Sequence, residues 1–136
     1  MATIIPKAHV LLVEDDESLR QMYSLILQKA GYKVTLANDG VEGLAKARAG
    51  GFDLILLDLM MPNMDGLGFL RGLAEEPPRK PNGPVVVLSN AGYEKIAEEA
   101  AKLGARGFLM KADLLPDDLV AAVEKHLVAS QRKAKS

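Results

Sequence analysis

The chain has 136 residues, which leaves room for one domain of ordinary size and none for a separate output domain beside it. Hydrophobic residues make up 49% and charged residues 26%, a balance that excludes a disordered or fibrous chain, while 17 Lys plus Arg against 18 Asp plus Glu leave a net charge of −1 and no global attraction to nucleic acid or an anionic membrane. The absence of cysteine excludes disulfides, thiolate metal sites and cysteine nucleophiles, and with no signal-peptide core or membrane-length apolar run a cytoplasmic location is expected.

Four short apolar runs, Val10 to Val13, Lys33 to Leu36 in weaker form, Leu54 to Leu57 and Val85 to Leu88, are followed by a shorter fifth, Phe108 to Met110. Runs such as VLLV, LILL and VVVL do not alternate with polar residues, so they predict strands buried on both faces, as in a parallel sheet covered by helices. Between them the period changes. Leu19, Met22, Tyr23, Ile26, Leu27 and Ala30 recur at helical spacing, and Gly31 ends that helix. Val41, Leu44 and Ala45 predict a second helix closing near Gly50 and Gly51, and Leu67, Leu70 and Leu73 a third ending before Pro77. A fourth runs from about Glu94 to Leu103 and stops at Gly104; the last starts near Asp113, with Pro116 in its first turn and Leu119, Val120, Val123 and Leu127 on one face. Five βα units of this length give an α/β fold, a parallel sheet sandwiched between two helical layers by right-handed crossovers. Ligands bind such sheets beyond the carboxyl ends of the strands.

Polar residues come directly after each strong run. After VLLV stand Glu14, Asp15, Asp16 and Glu17, which taken alone read equally as an acidic helix start or as metal ligands. Asp58 directly follows LILL, and with the first and third strands adjacent its carboxylate would lie beside Glu14 and Asp15. Two such charges about 4 Å apart repel by roughly 4 kcal/mol at an effective dielectric near 20, a cost that a purely structural role does not explain. A hard divalent cation bound through oxygens makes the arrangement favourable, and an incomplete protein ligand set suits Mg²⁺ better than Ca²⁺. Ser89 closes VVVL and Lys111 follows Met110. Each is ordinary alone; together with the acids they form a phosphoryl-transfer site with Asp58 as nucleophile, the lysine and the hydroxyl meeting phosphoryl oxygens.

These residues resemble the receiver domain of two-component response regulators, over about residues 8 to 128, and most specifically in Asp58-Leu-Met-Met-Pro-Asn-Met-Asp-Gly66. The resemblance implies a flavodoxin-like (βα)5 three-layer sandwich with strand order 2-1-3-4-5, preceded by an extension at residues 1–7 and followed by a basic tail at 129–136. It implies that Asp58 accepts a phosphoryl group from a sensor histidine kinase or a histidine phosphotransfer protein. Metal ligands implied for Mg²⁺, or Mn²⁺ in its place, are Asp15, Asp58, the Met60 backbone carbonyl and, through water, Glu14. Ser89 and Phe108 take the switch positions and Lys111 the family's lysine position, and Asp16 falls outside the acidic pair, as a helix cap. Phosphorylation would draw Ser89 and Lys111 inward and let Phe108 rotate, reshaping the surface of the fourth helix, fifth strand and fifth helix for a downstream effector protein. Partners are therefore proteins, with no direct nucleic acid or membrane contact, and the chain is a monomer or a phosphorylation-dependent dimer of the stand-alone, chemotaxis-like type.

Ala112 stands where the family usually has a cis proline, so a trans bond with a rearranged loop or a strained geometry is expected. Met60 and Ala91 put no polar side chain at two variable positions beside the site, which predicts slow self-dephosphorylation. The thioethers of Met60, Met61 and Met64 are poor ligands for a hard cation, Met61 being expected to pack into the fold. His9 and His126 lie away from the acids, and Gly66, Gly68 and Gly72 lack nucleotide-loop spacing. Segment 75–84 reads as a solvent loop and candidate partner contact, and 131–136 as a frayed end. Two other functions share the fold. A phosphatase with an aspartyl-phosphate intermediate commonly needs a second acid where this chain has Met60; a binding module that takes no phosphate would not need Asp15, Asp58, Ser89 and Lys111 together.

Overall fold

A computed structural model describes residues 7–135, with the side chains of 132–135 left out of the description; residues 1–6 of the expected extension lie outside it. The strands are β1 (His9–Val13), β2 (Lys33–Ala37), β3 (Leu54–Asp58), β4 (Val85–Ser89) and β5 (Gly107–Met110). They alternate with α1 (Glu17–Lys29), α2 (Gly40–Ala49), α3 (Gly66–Glu75), α4 (Glu94–Lys102) and α5 (Pro116–Lys135). All pairings are parallel and the sheet order is β2-β1-β3-β4-β5, as the resemblance implied.

Two apolar clusters, one on each face of the sheet, form the core. Leu11, Val13, Ile55, Leu57, Val85 and Val87 face Leu44, Phe69 and Leu70, while Val10, Leu12, Leu54, Leu56, Val86 and Leu88 face Tyr23, Leu27, Leu119 and Val123. Alternate residues of one strand go to opposite layers, which is why the three central runs are apolar throughout. Burial on both faces stops at the edges: β2 and β5 each have a single neighbour in the sheet and are only partly covered.

Three helices depart from expectation. In α1, Tyr23, Ser24 and Leu27 are buried but Met22 is exposed, so the packed stripe is narrower than the apolar spacing suggests. In α2 the buried face is Gly40, Gly43, Leu44 and Ala47, with Val41 and Ala45 exposed. The reason is closeness: a Cβ on Gly43 would come within 2.8 Å of the Val13 methyls, so small residues, not large ones, mark this contact. The last helix begins at Pro116 rather than near Asp113, because Lys111–Asp113 form a separate 3₁₀ turn. It runs without interruption through Lys135, so the boundary expected at 128 falls inside α5, and residues 131–135 of the segment expected to fray are helical.

The 75–84 connection is not a free solvent loop. Arg79 N–H donates to the Arg48 carbonyl, Gly51 N–H to the Pro81 carbonyl and Gly83 N–H to the Phe52 carbonyl. Asn82 accepts from Phe52 N–H at 3.1 Å and donates to the Ala47 carbonyl at 2.9 Å. The segment is a strap across the amino end of the sheet, tied to the α2–β3 connection.

Candidate functional site

Register places the site. Val13 lies opposite Leu57, so the next residues, Glu14 and Asp58, leave their strands side by side; Ser89 lies opposite Met110, so Lys111 leaves β5 just beyond Ser89. Glu14 is 0% and Asp58 3% exposed, whereas Asp15 is exposed at the rim. Carboxylate oxygens of Glu14, Asp15 and Asp58 lie within 4.8 Å of one another. Lys111 Nζ sits 2.7 Å from Glu14 Oε1 and 3.2 Å from Asp58 Oδ1, its side chain nearly buried.

Local structure holds these groups in place. Asp16 caps α1, its Oδ1 accepting from Leu19 N–H at 2.9 Å, and Asp16 N–H in turn points at Glu14 Oε2 at 3.3 Å. Beyond Asp58 the chain turns through Pro62, with Met64 N–H donating to the Pro62 carbonyl and Asn63 in the left-handed region at φ 68°. Asp65 then caps α3 through Gly68 N–H at 2.8 Å. Gly66 is needed because a Cβ there would stand 2.8 Å from Leu59 Cα and 3.1 Å from the Asp58 carbonyl. The Asp58…Pro62…Asp65-Gly66 spacing thus has a mechanical meaning: a strand end, a reversal, a cap, and a helix start seated against the strand end it came from.

Electrostatically the pocket is short of positive charge. Burial is the first cause that pushes the Asp58 carboxyl up to about 8, and the adjacent Glu14 adds to it while Lys111 works against it. Lys111 is raised above its ordinary value, its burial being outweighed by hydrogen bonding and charge from Glu14 and Asp58. Tyr23, packed below, has its hydroxyl raised chiefly by burial, with Lys111, Glu14 and Asp58 all acting on it.

An all-oxygen set suits a hard cation, and one atom supplies a direct test of fit. Glu14 Oε1 is buried, and its close partner is Lys111 Nζ at 2.7 Å, a cation it shares with Asp58. With its carboxyl pushed up to about 8, Asp58 holds a proton near neutral pH in metal-free protein, and a divalent ion would displace that proton and neutralise both buried carboxylates. The donor set therefore fits Mg²⁺.

The remaining expected residues lie near this cluster in different states. Ser89 is buried at the end of β4, and its hydroxyl donates to the Asn90 carbonyl at 3.1 Å rather than to Asp58. Phe108 is 41% exposed on β5. Met60 N–H reaches Asp58 Oδ1 at 3.3 Å and its side chain is 40% exposed, while Met61 packs against the core. No cis peptide occurs among the described residues, so the Lys111–Ala112 bond is trans, leading into the 3₁₀ turn. His9 and His126 both stand apart from the acids, at the other end of the sheet.

Arg20 is a residue that sequence reasoning missed. Its guanidinium donates to the carbonyls of Glu14 at 3.0 Å and Asp15 at 3.3 Å, bracing the acidic turn from within α1. A basic residue one turn into the helix behind an acidic run was the available signal.

Known proteins similar to this chain identify its family. The family described as the response regulator receiver domain matches residues 10–124. The transcriptional activator protein PfeR of Pseudomonas aeruginosa is 38% identical over 107 residues, 79% of this chain and 34% of that protein. Transcriptional regulatory protein FixJ of Bradyrhizobium diazoefficiens is 31% identical over 131 residues, 96% of this chain and 62% of that protein, so the chain spans only part of the length of either relative. The chemotaxis protein CheY4 of Vibrio cholerae superposes with a TM-score of 0.76 at 36% identity, covering 88% of this chain and 98% of that one. The family match spans most of the chain, and the chain belongs to the response regulator receiver domain family.

Proposed function

We propose that this receiver domain takes a phosphoryl group onto Asp58 from a phosphohistidine of a sensor histidine kinase or phosphotransfer protein. One observation carries the reading: the Glu14, Asp15 and Asp58 carboxylates cluster at the carboxyl end of the sheet, with Lys111 Nζ against the two buried ones. An Asp58 oxygen attacks phosphorus as the P–N bond to the imidazole breaks and the imidazole nitrogen leaves with the electron pair. Lys111 moves its charge from Glu14 and Asp58 toward a phosphoryl oxygen, and Ser89 exchanges the Asn90 carbonyl for another. Asp15, Asp58, the Met60 carbonyl and, through water, Glu14 would hold Mg²⁺ or Mn²⁺. Bound there, the ion supplies charge neutralisation for the carboxylates and the transferring group.

The switch arises from the same groups. Ser89 moving toward the phosphoryl group vacates space that Phe108, now outward on β5, occupies, and the α4-β5-α5 surface changes for an effector protein or for dimerisation. The phosphoryl group biases this equilibrium only through its contacts with Ser89 and Lys111, which differ between the two states. The domain acts as a cytoplasmic signalling element rather than a turnover enzyme. Met60 and Ala91, both exposed and apolar, orient no attacking water, so the acyl phosphate is long-lived.

Incubation with acetyl phosphate and Mg²⁺ followed by intact-mass measurement tests the proposal. One added phosphoryl group on wild type and none on Asp58→Asn supports it. Normal Mg²⁺ binding with no added mass leaves a binding module instead, and steady hydrolysis of many phosphomonoesters points to a phosphatase.

A further inference from the structure

At the opposite end of the sheet from Asp58, α5 and the strap leave an open cavity of about 600 Å³, lined on one side by Asn82, Gly83, Pro84 and Val85 and on the other by His126, Ala129 and Ser130. Arg106 and Lys125 also line it, and no acidic side chain among the described residues does. Neither cation has an ion-pair partner among the described residues. His126 leans over Gly107 so closely that any Cβ there would collide with the imidazole, so the glycine is what allows the ring to form the cavity wall. Arg106 N–H is tied to the Val85 carbonyl at 2.8 Å, which fixes the base of that side chain at the end of β5. Burial and then the Lys125 charge lower the pKa of His126, consistent with a positive field that no neighbouring acid answers.

We propose that this cavity binds a nucleotide, its phosphates held by Arg106 and Lys125 and its base and sugar lying on Pro84, Val85 and Ala129. The volume is that of a small-molecule site, which typically combines an apolar floor with a few convergent polar groups. A guanidinium presents a planar fork that matches phosphate oxygens, and the lysine adds a point charge beside it. Apolar lining explains why a bare anion is the poorer ligand: phosphate alone covers none of it. Nothing in this assignment draws on Asp58 or on phosphoryl transfer, so the two readings stand or fall separately.

Titration of the isotope-labelled full chain with ATP, ADP, AMP and inorganic phosphate, followed by amide NMR in the presence of EDTA, tests it. Chelation keeps the acidic site from holding nucleotide through a metal. At least one nucleotide should give saturable shifts centred on Gly83, Gly104, Arg106 and Ser130, with the amides of Glu14 and Asp58 unmoved. The double variant Arg106→Ala/Lys125→Ala should weaken that binding at least tenfold while its remaining spectrum matches wild type, both side chains being at the surface. Inorganic phosphate should bind at least tenfold more weakly than the nucleotide. The proposal is overturned by absence of saturable shifts with every nucleotide, by undiminished binding in the double variant, or by phosphate binding as tightly as nucleotide. Binding of polyglutamate in place of nucleotides would also overturn it and assign the cavity to an acidic peptide.

Discussion

At the amino end of the sheet, His9 N–H donates to Asp53 at 2.7 Å, the His9 ring meets Thr35 Oγ1 at 2.6 Å, and Asn82 satisfies one backbone donor and one backbone acceptor. At the carboxyl end, two buried acids share one lysine and a third waits at the rim. Both ends belong to the same five strands, so the difference is not one of scaffold. It lies in whether the polar groups find partners within the chain. A paired end contributes to stability; an end with surplus charge of one sign holds free energy that a ligand of the other sign can release. Removing an acid from the carboxyl end should therefore stabilise the metal-free protein, and removing a polar partner from the amino end should destabilise it.

Asp58→Asn gives the largest expected effect, because it should abolish phosphoryl gain from acetyl phosphate altogether. The same change relieves the crowding with Glu14, so thermal unfolding of the metal-free variant at pH 8 should occur above that of wild type. A fall in melting temperature would show that Asp58 is a structural partner of Lys111 before anything else. Lys111→Met should slow phosphorylation by about a hundredfold, in the range for removal of a preorganised charge from a transferring group. It should also destabilise the metal-free fold by leaving Glu14 and Asp58 without their cation, and added Mg²⁺ should restore most of that loss.

Asn82→Ala reverses the pattern. It leaves the Phe52 N–H and the Ala47 carbonyl unpaired, which should cost about 2–6 kcal/mol in urea unfolding, at roughly 1–3 kcal/mol for each buried group left unsatisfied. Phosphoryl gain from acetyl phosphate should be unchanged. If stability were unaltered, the strap would be resting on the sheet rather than holding it.

How legible these two ends are in the sequence depends on the same contrast. VLLV, LILL and VVVL announce central strands, and the polar residues at their carboxyl ends, Glu14 with Asp15, then Asp58, then Ser89, sit where parallel strands must bring them, so the co-location of the acids could be reasoned out before any coordinates. The strap could not. Arg79, Asn82 and Gly83 find partners some thirty residues away through backbone carbonyls and amides, and a backbone partner leaves no residue-type signature. Arg20 carried only the signal of a basic residue one turn behind the acidic run, and that signal does not say that it binds the carbonyls of the turn rather than its carboxylates. The face of α2 was misread because close packing selected glycine and alanine, which carry little hydrophobic weight. The weaker run at Lys33 to Leu36 and the shorter one at Phe108 to Met110 are the two edge strands, each with a single neighbour in the sheet.

The two ends should also respond oppositely to pH, and this is the subtlest of the expected effects. Asp58 has a folded pKa near 8 against about 4 for a free carboxyl, so the folded state binds the extra proton, and in metal-free protein its contribution falls as pH rises from about 4 to about 8. His9 is displaced the other way, chiefly by burial and then by Lys33, with Asp53 partly opposing. Its folded pKa lies below the ordinary 6.5, the unfolded chain binds the extra proton, and its contribution is present above pH 6.5 and lost as pH falls through the folded value. His9→Gln keeps a side chain able to hydrogen-bond Thr35 but removes the titration. Metal-free Asp58→Asn should therefore flatten the decline of melting temperature between pH 6 and 8, and His9→Gln should flatten the smaller decline below pH 6.5. Mg²⁺ at saturation should reproduce the first change without affecting the second, because it meets the unpaired end of the sheet and not the paired one. A response to Mg²⁺ in the His9-dependent part of the profile would show that the two ends are coupled through the strands that join them.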